Sequence, residues 1–247
     1  MTLLAIRDAT KRFGAVVGLD GVDLDIDAGE VVALLGDNGA GKSTLIKCLS
    51  GALRLDRGTI ELDGERVSIS SPADARELGI ETVYQDLALF DNLRPSDNFY
   101  AGRELATPTW LPRSLRVLRR REMATTTRAT LNRLQVTLDD HGVVGLMSGG
   151  QRQAVAVSRA AAFASRIVIL DEPTAALGVR ESRRVLDLII RLRDEGKAVI
   201  VVSHAMDHVM EVADRAVVMR RGRKVGELAP SAETYAQIVS LIVGGGS

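Results

Sequence analysis

Apolar residues recur along the chain in three rhythms. Between Val22 and Asp27 apolar and acidic residues alternate, the period-two pattern of a strand with one covered face. Val31–Leu35, Ile167–Leu170 and Ala198–Val202 are apolar throughout, which suits central parallel strands covered by helices on both faces. From Glu181 to Asp194 the residues Val185, Leu188, Ile189 and Leu192 recur at three and four positions and predict an amphipathic helix. Gly58–Leu62 and Arg66–Ile69 flank Asp63-Gly64, a pair suited to the positive φ angles of a tight hairpin turn. The expected fold is α/β, with a mostly parallel sheet and an antiparallel β portion. Strand signals fade from about 86 to 166, so a mostly helical subdomain is expected there, inserted in an α/β core of residues 1–85 and 167–247.

Gly36-Asp37-Asn38-Gly39-Ala40-Gly41-Lys42-Ser43-Thr44 follows the first apolar strand and precedes a helix expected over 43–50, the context of a P-loop. Glycines let the backbone point successive N–H groups at phosphate oxygens, and the helix amino end adds partial positive charge. Lys42 supplies a full charge to the β and γ phosphates, and the Ser43 hydroxyl a ligand for Mg²⁺. Taken alone, the loop indicates nucleotide binding only, since kinases, GTPases and recombinases share it. The strand Ile167–Leu170 runs into Asp171-Glu172, at the strand end where open α/β sheets bind ligands. Asp171 is expected to hold Mg²⁺ through water, and Glu172 to orient the attacking water or accept its proton.

Composition narrows the picture. A hydrophobic content of 46% is enough to fill a core, and 32 basic against 32 acidic residues leave no global excess that would advertise nucleic acid. The cluster Arg116, Arg119, Arg120 and Arg121 has no accompanying aromatic set and reads as a solvated helix face. Charged residues arrive too early for a signal peptide and no apolar run approaches the ~20 residues of a membrane span, so a soluble protein is expected. A single cysteine, Cys48, fits a reducing cytosol and reads as a small core residue. His141 and His208 read as structural or solvent-facing, and Gly244–Ser247 as a flexible tail, native or appended.

Met147-Ser148-Gly149-Gly150-Gln151, followed by Arg152-Gln153, strongly resembles the signature of ATP-binding-cassette ATPases. Other elements resembling the family follow in order over essentially the whole chain: Phe13, Gln85 in Tyr84-Gln85-Asp86, Asp171-Glu172-Pro173-Thr174, and Ser203-His204. Taken singly, Phe13 reads as core, Gln85 as a surface amide and His204 as a strand-end histidine. The resemblance implies that Phe13 stacks on adenine, that Gln85 contacts metal and water, and that His204 contacts the γ-phosphate. It implies a head-to-tail homodimer, in which Ser148, Gly149, Gly150 and Gln151 of one copy close over ATP on the other copy's P-loop. Transport would then use separate permease subunits at the cytoplasmic face of the membrane, with this chain as a peripheral subunit.

Within the family, Val83–Leu89 with Asp91-Asn92-Leu93, Gly102-Arg103-Glu104 and Thr174–Gly178 resemble bacterial monosaccharide importers, and the single cassette resembles the fructose or ribose branch. A periplasmic sugar-binding protein would be an indirect partner. Gly178 replaces the aspartate usual in the family, which bears on communication between the two sites of a dimer. Alternatives within the fold are an amino-acid importer or a lipid exporter. A non-transport cassette acting on DNA or ribosomes is a further alternative, although the chain lacks the long insertions or second cassette of those groups.

Overall fold

The computed structural model describes residues 2–108, 110, 112, 116–138 and 142–244. His141 and Gly245–Ser247 lie outside the described residues. The amino end forms β1 (Thr2–Phe13) and β2 (Val16–Asp27), an antiparallel pair. The alternation from Val22 to Asp27 appears as inward Val22, Leu24 and Ile26 between more exposed aspartates. Strand β1 also pairs with β4 (Arg57–Leu62), and β4 with β5 (Glu65–Val67), giving the sheet order β2-β1-β4-β5. The expected hairpin turn is there, with Asp63 at φ 52° and Gly64 at φ 78°. Its second strand ends at Val67 rather than Ile69.

The second sheet has the order β12-β11-β3-β10-β9-β6. Its strands are β3 (Val31–Leu35), β6 (Ile80–Val83), β9 (Ile167–Asp171), β10 (Ala198–Val202), β11 (Arg215–Arg220) and β12 (Arg223–Leu228). All neighbours are parallel except β11 and β12. The three uniformly apolar runs are the three central strands β3, β10 and β9. Along β3, Val32 and Leu34 face one core while Ala33 and Leu35 face another, so no position is left for a polar residue.

Helix α1 (Lys42–Leu49) buries Leu45, Ile46, Cys48 and Leu49 in the core shared by the two sheets. On the opposite face of the parallel sheet lie α5 (Gly149–Phe163) and α6 (Val179–Asp194), with Val185, Leu188, Ile189 and Leu192 all buried as the helical period required. Among the described residues the other α-helices are α2 (Pro72–Glu77), α3 (Pro95–Phe99), α4 (Arg120–Arg133), α7 (Met206–Val212) and α8 (Tyr235–Val243). Phe99, Tyr100, Met123, Leu131, Val144 and Val155 form a separate small core around α3, α4 and α5.

This helical region also contains a two-stranded ribbon, β7 (Ala106–Thr107) with β8 (Val117–Leu118), too short to leave a period in the sequence. Arg120 and Arg121 open α4, whereas Arg119 precedes it and pairs with Glu122, and Arg116 lies outside the helix. The basic cluster is therefore not a single helix face. Strand register sets the functional end of the molecule. Val202 of β10 lies opposite both Leu34 and Asp171, so the segments after β3, β9 and β10 emerge side by side.

Candidate nucleotide site

The segment after β3 turns sharply at Gly36, where φ is 142°. A β-carbon there would sit 2.2 Å from the Met219 carbonyl oxygen and 2.9 Å from the Ala40 β-carbon, so only glycine fits. Gly41, at φ 106°, is the residue before α1, and a β-carbon on it would lie 2.6 Å from the Gly18 carbonyl oxygen. Between them the Ala40 N–H donates to the Asp37 carbonyl at 3.1 Å, closing the loop. No side chain caps α1, which leaves amide donors and the positive dipole end available to an anion. The Lys42 ammonium is buried and donates to the carbonyls of Gly36 at 2.6 Å and Asp37 at 3.0 Å. Burial lowers its pKa, against the opposing pull of Glu172, Asp37 and Asp171.

Asp171 and Glu172 stand where β9 ends. The Glu172 N–H donates to Val202 O at 2.9 Å, tying it to β10, and its φ of 52° places a non-glycine residue in the left-handed region. Strain of this kind persists only where the surroundings enforce it. Burial raises the pKa of both carboxyls; Lys42 is the largest influence lowering Asp171 again, and His204 the largest lowering Glu172. His204 Nε2 lies 3.3 Å from Glu172 Oε1, within ion-pair reach but without hydrogen-bond alignment, so among the described residues Oε1 is a buried acceptor with no donor. A buried acceptor at a cavity wall is matched to a water or ligand donor.

These segments enclose a cavity of about 310 Å³. Its walls include Asn38, Gly39, Ala40, Gly41, Lys42, Ser43 and Thr44 from the glycine loop, with Gln85, Asp171, Glu172 and His204 across from them. Phe13 stands at the mouth, 45% exposed, with Lys11 Nζ 5.8 Å from its ring centroid. Gly36 supports the loop from behind. Val16, Val17 and Gly18 of β2 also line the cavity. Sequence reasoning missed them because their role depends on the antiparallel sheet folding over α1.

Ser148 to Gln151 do not join this cavity. Ser148 caps α5 in a reciprocal box: the Gln151 N–H donates to Ser148 Oγ at 3.2 Å, and the Ser148 N–H donates to Gln151 Oε1 at 2.9 Å. Gln151 thus shapes the helix end, while the Ser148 hydroxyl proton and the amides of Gly149 and Gly150 remain available to an anion. Gly149 faces a different cavity of about 500 Å³ that Gln85 and Glu172 also border. At Gly150 an added β-carbon would stand 2.4 Å from Cγ of Glu181, on the first turn of α6. At Gly178 it would stand 2.7 Å from Glu181 Oε2. Glu181 is thus the neighbour that the side chain of an aspartate at 178 would crowd, a relation invisible in the sequence. His208, read as structural or solvent-facing, is structural: its Nδ1 lies 2.9 Å from Oγ1 of buried Thr174, just beyond the acidic pair.

A glycine loop between a central parallel strand and a helix, with acids at the end of a strand two places across the sheet, is the construction of P-loop nucleotide hydrolases. Comparison with known proteins narrows the class. The family model described as "ABC transporter" matches residues 19–175. A fructose import ATP-binding protein of Rhizobium meliloti is 47% identical over 98% of this chain and 94% of its own length. A xylose/arabinose import ATP-binding protein of Sulfolobus acidocaldarius is 48% identical over 90% of this chain and 86% of its own. With a ribose import ATP-binding protein of Rubrobacter xylanophilus, 43% identical, this chain spans 47% of the relative's length.

Among solved structures, a nucleotide-free ATP-binding cassette from an ABC transporter superposes with a TM-score of 0.81 at 25% identity, over 98% of each chain. CbiO1 of Clostridium perfringens, part of the ABC transporter complex cbiONQ, gives 0.79 at 26% identity, over 96% of this chain and 92% of its own. The chain belongs to the ABC transporter family. It is one of that family's ATP-binding, ATP-hydrolysing cassettes.

Proposed function

We propose that this cassette powers import of a monosaccharide through separate permease subunits, with a periplasmic sugar-binding protein delivering the sugar. The near-full-length identity to the fructose and xylose/arabinose import proteins carries this reading. Among the described residues no helix is long and apolar enough to cross a membrane; in this reading the pore belongs to the permease subunits. The cassette then sits peripherally at the cytoplasmic face of the membrane. Residues 1–85 and 167–247 act as the nucleotide-handling core, and about 86–166 as the helical subdomain that meets the permease. No role on nucleic acid is assigned.

In the proposed site Phe13 stacks on adenine, while the amides from Gly36 to Thr44 and the Lys42 ammonium bind the phosphates. The residues fit Mg²⁺: the Ser43 side chain is exposed at the cavity and Asp171 stands opposite. Among the described residues no cluster of three His, Cys, Asp or Glu holds a metal unaided, which suits a cation shared with phosphate oxygens. When bound, Mg²⁺ neutralises charge that develops on the phosphates. Glu172, with its unpartnered buried oxygen, orients the attacking water and takes its proton. His204 contacts the γ-phosphate, and Gln85 faces metal and water.

The separation of Ser148–Gln151 from the P-loop cavity within one chain supports a head-to-tail homodimer, in which Ser148, Gly149, Gly150 and Gln151 reach the ATP of the other copy. Reconstituting the cassette with the permease and binding protein that co-purify with it tests the assignment. ATP-dependent vesicle uptake of fructose, ribose or xylose is expected; uptake of amino acids instead, with no sugar transported, would refute it.

A further inference from the structure

Arg159 lies in the carboxyl-terminal half of α5, about 17 Å along the helix from the Ser148 cap at 1.5 Å per residue. Its guanidinium donates to two successive carbonyls, from Nη1 to Ala88 O at 2.8 Å and from Nη2 to Leu87 O at 3.0 Å. Those acceptors follow Gln85 by two and three residues. Both are non-glycine residues in the left-handed region, Leu87 at φ 59° and Ala88 at φ 46°. Two such residues in succession are unfavourable for L-amino acids and persist only under external restraint. Inside the turn the restraint is slight: Leu87 N–H donates to Tyr84 O at 2.9 Å and Ala88 N–H to Asp86 O at 2.7 Å.

Among the described residues Arg159 has no other hydrogen-bond partner. Glu81 of β6, whose charge reaches it, is held by Arg103 through hydrogen bonds of 2.8 and 3.3 Å. Arg103 in turn lies 4.2 Å over the ring of Phe163, at the end of α5. Burial acts to lower the Arg159 pKa, yet guanidinium keeps its charge in proteins, and a planar fork can serve two carbonyls at once.

We propose that Arg159 is a positioning residue: it clamps the Leu87 and Ala88 carbonyls, holds Gln85 at the nucleotide cavity, and ties that loop to the helix whose amino end is the signature. The consequence is a mechanical link within each copy. Movement of α5, when its Ser148 end meets the other copy's nucleotide, is passed to the copy's own Gln85. This rests on the reading of Gln85 as the residue facing metal and water.

The test uses the full chain with Arg159→Met, which keeps an unbranched stem and removes the donors, together with Gln85→Ala and the double variant. Hydrogen exchange without nucleotide is expected to quicken about tenfold or more at amides 86–90 in Arg159→Met and to stay unchanged in the buried turns of α5. In steady-state ATPase assays kcat is expected to fall about tenfold or more with KM for ATP within about twofold, because the phosphate loop is untouched. The double variant is expected to be no slower than Gln85→Ala alone, the non-additivity of residues acting through one another.

Unchanged exchange at 86–90, or rate losses that multiply in the double variant, would overturn the proposal. A Gln85→Ala protein with parental kcat would instead sink the reading of Gln85, while the exchange data still decide whether the clamp exists. Should Arg159→Met fail to fold, Arg159→Lys carries the same comparisons, because a point charge cannot serve both carbonyls as a fork does.

Discussion

Glu172→Gln changes one oxygen to an amide nitrogen and leaves the volume and the left-handed backbone at φ 52° in place. It removes the proton acceptor whose Oε1 is buried without a donor. General-base catalysis contributes about 10²–10⁴-fold, so the lost transition-state stabilisation is roughly 3–5 kcal/mol. The assay is single-turnover ATP hydrolysis at saturating ATP, with nucleotide affinity measured separately. Affinity is expected to remain, because Lys42 and the loop amides are untouched.

The pH dependence supplies a second check. Burial raises the Glu172 carboxyl above its ordinary value of 4.5, opposed chiefly by His204 and Lys42, while Asp171 reinforces the rise. A base must be ionised, so parental kcat is expected to fall as pH drops through that raised value, and Glu172→Gln to lose this acid limb. For stability the sign is opposite to that of a salt-bridged carboxylate. The native state disfavours the charge, so the parent is penalised above the folded pKa and not below the unfolded one, where both states are protonated. The Tm gain of Glu172→Gln should therefore be present at neutral pH and vanish near pH 3. A variant that hydrolyses ATP at the parental rate, or keeps the acid limb, refutes the role given to Glu172.

Gly36→Ala would place a methyl 2.2 Å from the Met219 carbonyl; overpacking and backbone strain together predict a loss of about 2–6 kcal/mol in urea unfolding, and a change below about 1 would contradict the geometry. Asn98 is fully buried, accepting from Phe90 N–H at 2.7 Å and donating to Phe90 O at 3.0 Å. Asn98→Ala should cost about 2–5 kcal/mol through unpaired backbone groups and a cavity, measured by denaturant titration, with a near-neutral result excluding this role. Cys48 is buried and burial pushes its thiol up to about 11, so at pH 8 it should resist an aromatic disulfide reagent in the native chain and react at once in urea. Rapid native labelling would show that α1 opens.

Much of the site was legible because its chemistry is local. The glycines, Lys42 and Ser43 lie within nine residues, and the strand before Asp171-Glu172 announces itself by being apolar at every position. The elements that were not read from the pattern depend on distant partners. Strand β6 is four residues long and includes Glu81, a buried charge that disguises a strand and makes sense only beside Arg103. The pairing of β1 with β4, and the wall that β2 gives the cavity, likewise depend on segments far apart in sequence.

By itself the sequence determined the class of fold, the glycine loop and the acidic strand end, since each follows from side-chain period, backbone permissiveness or a spacing of a few residues. Tertiary structure decided the rest. It placed His204 beside Glu172, left Glu172 Oε1 without a donor, set Glu181 against Gly150 and Gly178, and closed Arg159 onto the loop after Gln85. The physical reason is distance along the chain: Arg159 meets a carbonyl 71 residues away, and only the packing of α5 beside β6 brings the donor to it.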